Sequence, residues 1–124
     1  PRTQRLTSPT GTAKKRAPLC GSTVTVDVVI TDGVIVDYAQ DVKACALGQA
    51  AAAVVGNVVV GLSAAQVKIG HDQMLAMLKE GGPIPTAPFE ALGVLEPAQD
   101  YKNRHASIML AFDATLDAIA VSQT

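Results

Sequence analysis

Thiols and imidazoles are the groups in this chain best suited to hold a metal. There are two cysteines, Cys20 in APLCGSTVTVDVV and Cys45 in KACALGQ, and two histidines, His71 and His105. Cys20 stands at the mouth of an alternating strand pattern and Cys45 at the start of a helix. Unpaired N–H groups and the dipole at a helix N-terminus favour the thiolate there. Thiolate is the form that binds soft metals and iron–sulfur clusters. Residue types alone leave two other readings open, a single disulfide or two small buried hydrophobes. His105 sits in an Arg-His pair at the start of the last helix, where it is either a third ligand or an exposed polar side chain. His71, in the middle of the second helix, reads as a plain surface residue. Ser22 reads as a turn cap, and Gly21 as the tight turn into the strand. No base–nucleophile–orienter set surrounds Ser22, and the chain has no P-loop, Rossmann fingerprint or H-E-x-x-H motif. The chain is therefore not expected to be an enzyme.

The elements that must position these groups follow from periodicity. STVTVDVVI (22–30) alternates Val24, Val26 and Val28 with Thr23, Thr25 and Asp27, the pattern of a half-buried strand. Asp32-Gly33 is a strong hairpin signal, and residues 33–44 return as a second strand that bends near Gln40-Asp41 into a short third. Cys45 opens a helix to about Val60, with Gly61 as its stop. Ser63 to Gln66 is a capping-box pattern for a helix over 64–79, ended by Gly81-Gly82. A short helix over 88–95 precedes Pro97, and a last helix over 103–121 presents Ile108, Ala111, Phe112, Thr115 and Ile119 on one face. Strands first and helices afterwards predict an α+β fold, a three-stranded antiparallel meander packed on one face by C-terminal helices.

Charge divides the chain of 124 residues in two. Residues 1–18 carry Arg2, Arg5, Lys14, Lys15 and Arg16 and no acid, whereas the remainder holds five basic against eleven acidic side chains. The expected domains are thus a basic, proline- and threonine-rich extended tail over 1–18 and an α+β domain over 19–124. The tail is either a solvated arm or one that lies on an acidic partner or on the acidic body itself, and its five cations are the candidate partner-binding residues. It lacks interleaved aromatics, so nucleic acid is not the expected partner. The longest apolar stretch noted, ALGQAAAAVVGNVVVGL, is broken by Gln49, Gly56 and Asn57 and falls short of the ~20 residues that span a bilayer. With no secretory leader visible, the bacterial cytoplasm or the mitochondrial matrix is the expected location.

CGSTVTVDVVITDGVIVDYAQDVKACALGQAAAA resembles the iron–sulfur cluster assembly scaffolds, the IscU/SufU proteins and the NifU N-terminal domain, and the resemblance runs from about Ala17 to Ile119. It rests on a C-G turn opening a strand, a D-G hairpin, a second cysteine at a helix start, and the closing NRHASIMLAFDA. The family pattern C-G-D reads C-G-S here, with Ser22 in the aspartate position. The third cysteine is absent: aligning on LAFDA places Ser107 there, and aligning on an H-C-S-I-L pattern places Ala106 there beside His105.

The resemblance implies a non-enzymatic platform that receives sulfur from a cysteine desulfurase and passes a cluster to a recipient. Its implied ligand set here is Cys20, Cys45 and His105, holding iron, zinc or a 2Fe-2S cluster. The alternative is a degenerate scaffold fold that serves as an accessory subunit of a larger complex, docked by its basic tail.

Overall fold

The period of two over Thr23 to Thr31 places Val24, Val26 and Val28 on one face of a strand, and the computed structural model, which describes residues 3–18 and 21–123, shows all three fully buried. This is the central strand, β2 (Thr23–Thr31), of a three-stranded antiparallel sheet in the order β1-β2-β3. Asp32 (φ 53°) and Gly33 (φ 77°) both adopt positive φ, the requirement of the two-residue turn whose twist matches its strands. That turn joins β2 to β3 (Val34–Lys43), with Thr31 opposite Val34 and a register shift at Val29/Ile30.

Two details differ from expectation. No bend interrupts β3 at Gln40-Asp41, because Gln40 is buried and its amide donates to the carbonyl of Ala52 (3.0 Å), fixing the strand against the first helix. The third strand instead comes from the N-terminal side: β1 (Gly11–Arg16), inside the segment read as a basic tail, pairs antiparallel with β2.

Three α-helices follow, α1 (Ala46–Val58), α2 (Ala64–Glu80) and α3 (His105–Ser122). Of these, α1 and α3 pack on one face of the sheet, and α2 packs on α3. Cys45 is the N-cap of α1, and Ala51, Ala52 and Val55 are buried beneath it. α2 begins with the predicted capping box: Ser63 Oγ accepts from Gln66 N–H and the Gln66 side chain accepts from Ser63 N–H. Such a cap contributes about 1 kcal/mol, and Gly81 closes the helix in the left-handed conformation. The expected helix before Pro97 is a run of 3-10 turns, Glu90–Asp100, that passes through Pro97. Proline removes one N–H and bars a regular α-helix, but it does not stop tighter turns from continuing. A second turn, Lys102–Arg104, leads into α3.

α3 is the core helix. Ile108, Phe112, Ala111 and Thr115 are buried against the sheet, α1 and α2. With the turn before it, Lys102–Ser122 is the one helix among the described residues long and apolar enough to cross a membrane, at a mean hydropathy of 1.2. The expectation that no stretch reaches this length is corrected on that point, because the 3-10 turn extends α3. Here the apolar surface of α3 is consumed by packing, as in the core helix of a globular protein. A buried polar chain fixes its rotation: Tyr38 OH meets Thr115 Oγ1 (3.0 Å), which donates to the Ala111 carbonyl (2.6 Å). Burial pushes the Tyr38 phenol up to about 12 despite its bonds with Thr115 and Gln40.

Candidate functional site

Cys45 ends the connection from β3, and its extended backbone (φ −65°, ψ 171°) sets its side chain beside the first turn of α1. Its Sγ lies 3.6 Å from Ser107 Oγ on α3. Ser107 in turn donates to Ser22 Oγ (3.0 Å), so three segments far apart in sequence converge on one point. Gly48, one turn into α1, makes the approach feasible, because a Cβ there would stand 2.8 Å from Ser107 Oγ. Ser22 and Ser107 are buried, whereas Cys45 is partly accessible. Beside it opens a shallow depression of about 300 Å³ lined by Ala46, Leu47, Tyr101 and Arg104.

Burial pushes the Cys45 thiol up, but Gly48 N–H, the Ser107 hydroxyl, Leu47 N–H and Arg104 outweigh it and hold the thiol below its ordinary range. The N–H donors among them stabilise the anionic form. The arrangement therefore presents a thiol whose anionic form is favoured, a hydroxyl within ligand–ligand distance of it, and an accessible mouth.

Of the sequence-predicted ligands, Cys20 lies outside the described residues. His105 does not join Cys45. Residues 105 and 107 lie about 200° apart around a helix at 3.6 residues per turn, so only one of them can face the cysteine, and Ser107 does. His105 is buried, its Nε2 is 3.0 Å from the Ala98 carbonyl, and its Nδ1 has no partner among the described residues. It lines a separate depression with Leu78, Lys79 and Gly81. The reading of His105 as an exposed residue fails as well, because the 3-10 run folds over it. Among the described residues no group of three or more His, Cys, Asp or Glu side chains is arranged to hold a metal ion. Ala106 is exposed and Ser107 buried, so the geometry matches the alignment on LAFDA. The residues that the sequence reading passed over are Gly48, Tyr101 and Arg104. A glycine three residues beyond an N-cap cysteine was the legible signal.

The five tail cations separate by role. Arg2 lies outside the described residues. The Arg5 guanidinium grips Asp27 through two of its nitrogens, Nη2 to Oδ1 at 3.0 Å and Nε to Oδ2. Asp27 also accepts from Leu6 N–H (3.1 Å) and Thr12 Oγ1 (2.6 Å) and is wholly buried. Burial pushes the Asp27 carboxyl up, but Arg5, Thr12 and Leu6 N–H outweigh it, so its pKa lies below the ordinary carboxylate value. Lys15 pairs with Asp117 of α3 at 3.2 Å. Two of the five thus bind the chain's own acids, while Lys14 and Arg16 stay exposed. His71 is not a plain surface residue. Its side chain is mostly covered, sits edge-on to Phe112, and its Nε2 lies 3.1 Å from Asp113.

No family model matches the chain, and no curated protein matches it either. Solved structures do. The chain is similar to a nitrogen-fixing NifU-like protein (N-terminal) from Brucella abortus, at 45% identity and a TM-score of 0.95, covering 98% of this chain and 85% of that one. It is similar in fold to an iron–sulfur cluster assembly scaffold protein for the SUF system from Fervidobacterium islandicum, at 16% identity and a TM-score of 0.85, covering 94% of this chain and 85% of that one. A hypothetical protein shares the fold at 18% identity and a TM-score of 0.87, covering 96% of this chain and 87% of that one.

Proposed function

Because the chain belongs to the NifU-like family of iron–sulfur cluster assembly scaffolds, we propose that it holds iron, zinc or a 2Fe-2S cluster as cargo through a reduced ligand set. Cys20 and Cys45 are its thiolates, and Ser107 occupies the third corner. The observation that carries this reading is the 3.6 Å between Cys45 Sγ and Ser107 Oγ. Two thiolates on one tetrahedral zinc, with bonds of about 2.3 Å, stand roughly 3.8 Å apart. Position 107 therefore already has the spacing of a neighbouring ligand. His105, whose Nε2 is engaged with a carbonyl, is left out of the set.

The role is that of a platform and not of an enzyme. Cargo is taken up where Gly48 N–H, Leu47 N–H and Arg104 favour the anionic form of Cys45, and it is released through an accessible mouth. Protein partners, a cysteine desulfurase and a cluster recipient, supply and remove it. A reducing compartment, the bacterial cytoplasm or the mitochondrial matrix, keeps such thiolates available.

Metal and acid-labile sulfide should be measured after anaerobic purification and after reconstitution with iron and sulfide, for the wild type, Cys20→Ala and Cys45→Ala. Bound metal in the wild type that is lost in both variants is the expected result. A wild type without metal under both conditions, or one whose metal survives both substitutions, overturns the proposal.

A further inference from the structure

Sheet register gathers cations at the cysteine end of the face opposite the helices. Arg16 pairs with Thr23 and Thr23 with Lys43, so the three form one row across all the strands. In the next row Lys14 pairs with Thr25 and Thr25 with Asp41. Residues paired in register share a face, and this is the face on which Arg5 meets Asp27. The Arg16–Lys43 row is the last of the sheet on that side: β2 begins one residue after Ser22 and β3 ends two before Cys45. Lys14, Arg16 and Lys43 are all exposed. Among the described residues they make no ion pair or hydrogen bond through their side chains. Arg5 and Lys15 are already paired with Asp27 and Asp117. The one acid in these two rows, Asp41, attracts Arg5. Arg104 adds a further cation beside Cys45, at the mouth of the depression.

We propose that this outer sheet face, Lys14, Arg16 and Lys43, is a docking surface for an acidic protein segment, seated so that it borders the Cys45 mouth. Neighbouring strands lie about 4.8 Å apart, so the end cations of one row are separated by roughly 10 Å, about one Debye length at physiological salt. Within that distance their fields add, which steers an acidic partner and fixes its orientation. A protein fits better than a nucleic acid because threonines, not aromatics, stand between the cations, leaving nothing for bases to stack on. The preference for a protein rests on the scaffold reading, in which cargo passes to a protein. The test reads binding and not metal, so either idea can fail alone.

The probe is a fluorescein-labelled Glu/Gly peptide of about ten residues, followed by anisotropy at about 50 mM salt and again at higher salt. The wild type should bind, and Lys14→Glu/Arg16→Glu/Lys43→Glu should weaken binding by about tenfold or more. Lys68→Glu/Lys79→Glu, which reverses two charges on α2, should change it less than about twofold. Circular dichroism checks folding. If the triple variant does not fold, the neutral Lys14→Gln/Lys43→Gln serves, with an expected loss of about threefold. No binding by the wild type, equal loss in the α2 control, or a single-stranded oligonucleotide that displaces the peptide through the same residues overturns the proposal.

Discussion

Replacing Ser107 by cysteine restores a third thiol, and the structure says what it should do. Ser107 Oγ already lies 3.6 Å from Cys45 Sγ, close to the edge of a tetrahedral thiolate site, and Gly48 leaves room beside it. A four-ligand structural zinc site gains about 10–16 kcal/mol in apparent binding, or roughly 3 kcal/mol per ligand. The substitution sacrifices the Ser107–Ser22 hydrogen bond, a net loss of about 1 kcal/mol. That loss falls on the free and the loaded variant alike, so the gain of about 3 kcal/mol stands and corresponds to a zinc affinity higher by roughly 150-fold. Zinc affinity is measured by competition with a chromophoric chelator, and cobalt substitution reports the added thiolate through its sulfur-to-metal charge-transfer band. Ala106→Cys is the decisive control. It lies one residue away, about 100° around the helix, on an exposed position. It should give no gain. A gain in Ala106→Cys without one in Ser107→Cys would refute the placement of the site, and no gain in either would refute the geometric argument.

Two stability predictions rest on groups away from this site. Asp27→Asn keeps the shape of the buried side chain but removes the charge that Arg5, Thr12 and Leu6 N–H address, and should cost about 1–3 kcal/mol at neutral pH. Because the folded pKa of Asp27 is depressed, its contribution is present above the unfolded carboxylate value of about 3.9 and is lost as pH falls through the lower folded value. Urea titrations should therefore show the gap between wild type and variant closing in acid, and a gap independent of pH would contradict the account. Gly70→Ala would set a Cβ 2.4 Å and 2.5 Å from the Phe89 ring. The forced shift should outweigh the helix-propensity gain of about 1 kcal/mol and leave a net loss of about 1–3 kcal/mol. A thermal melt at or above the wild-type midpoint would sink that expectation.

Local chemistry made much of the architecture legible. Asp32-Gly33 meets the backbone demand of a tight hairpin, Ser63 and Gln66 satisfy each other's N–H groups, and alternating valines declare a strand with one buried face. Each of these depends on neighbours a few residues away, so the sequence carries it directly. Cys45 at the head of α1 belongs to the same class. The third strand does not. GTAKKR has no apolar alternation of its own, and it becomes β1 because β2 offers an open edge and Gly11 admits the Ala118 carbonyl, which a Cβ would meet at 2.1 Å. For Arg5 and Lys15 the sequence left a solvated arm and one lying on the acidic body both open, and the sheet and α3 bring Asp27 and Asp117 to them.

The sequence by itself determined that this is an α+β chain with a cysteine at a helix start, a missing third cysteine and an asymmetric charge. Only tertiary structure decided whether Ala106 or Ser107 takes the empty place, and that His105 turns away from the cysteine edge. The reason is rotational: a side chain's direction on α3 is fixed by how Thr115 meets Tyr38 of the sheet while Phe112 packs on His71 and Phe89, and those partners lie far away in the sequence.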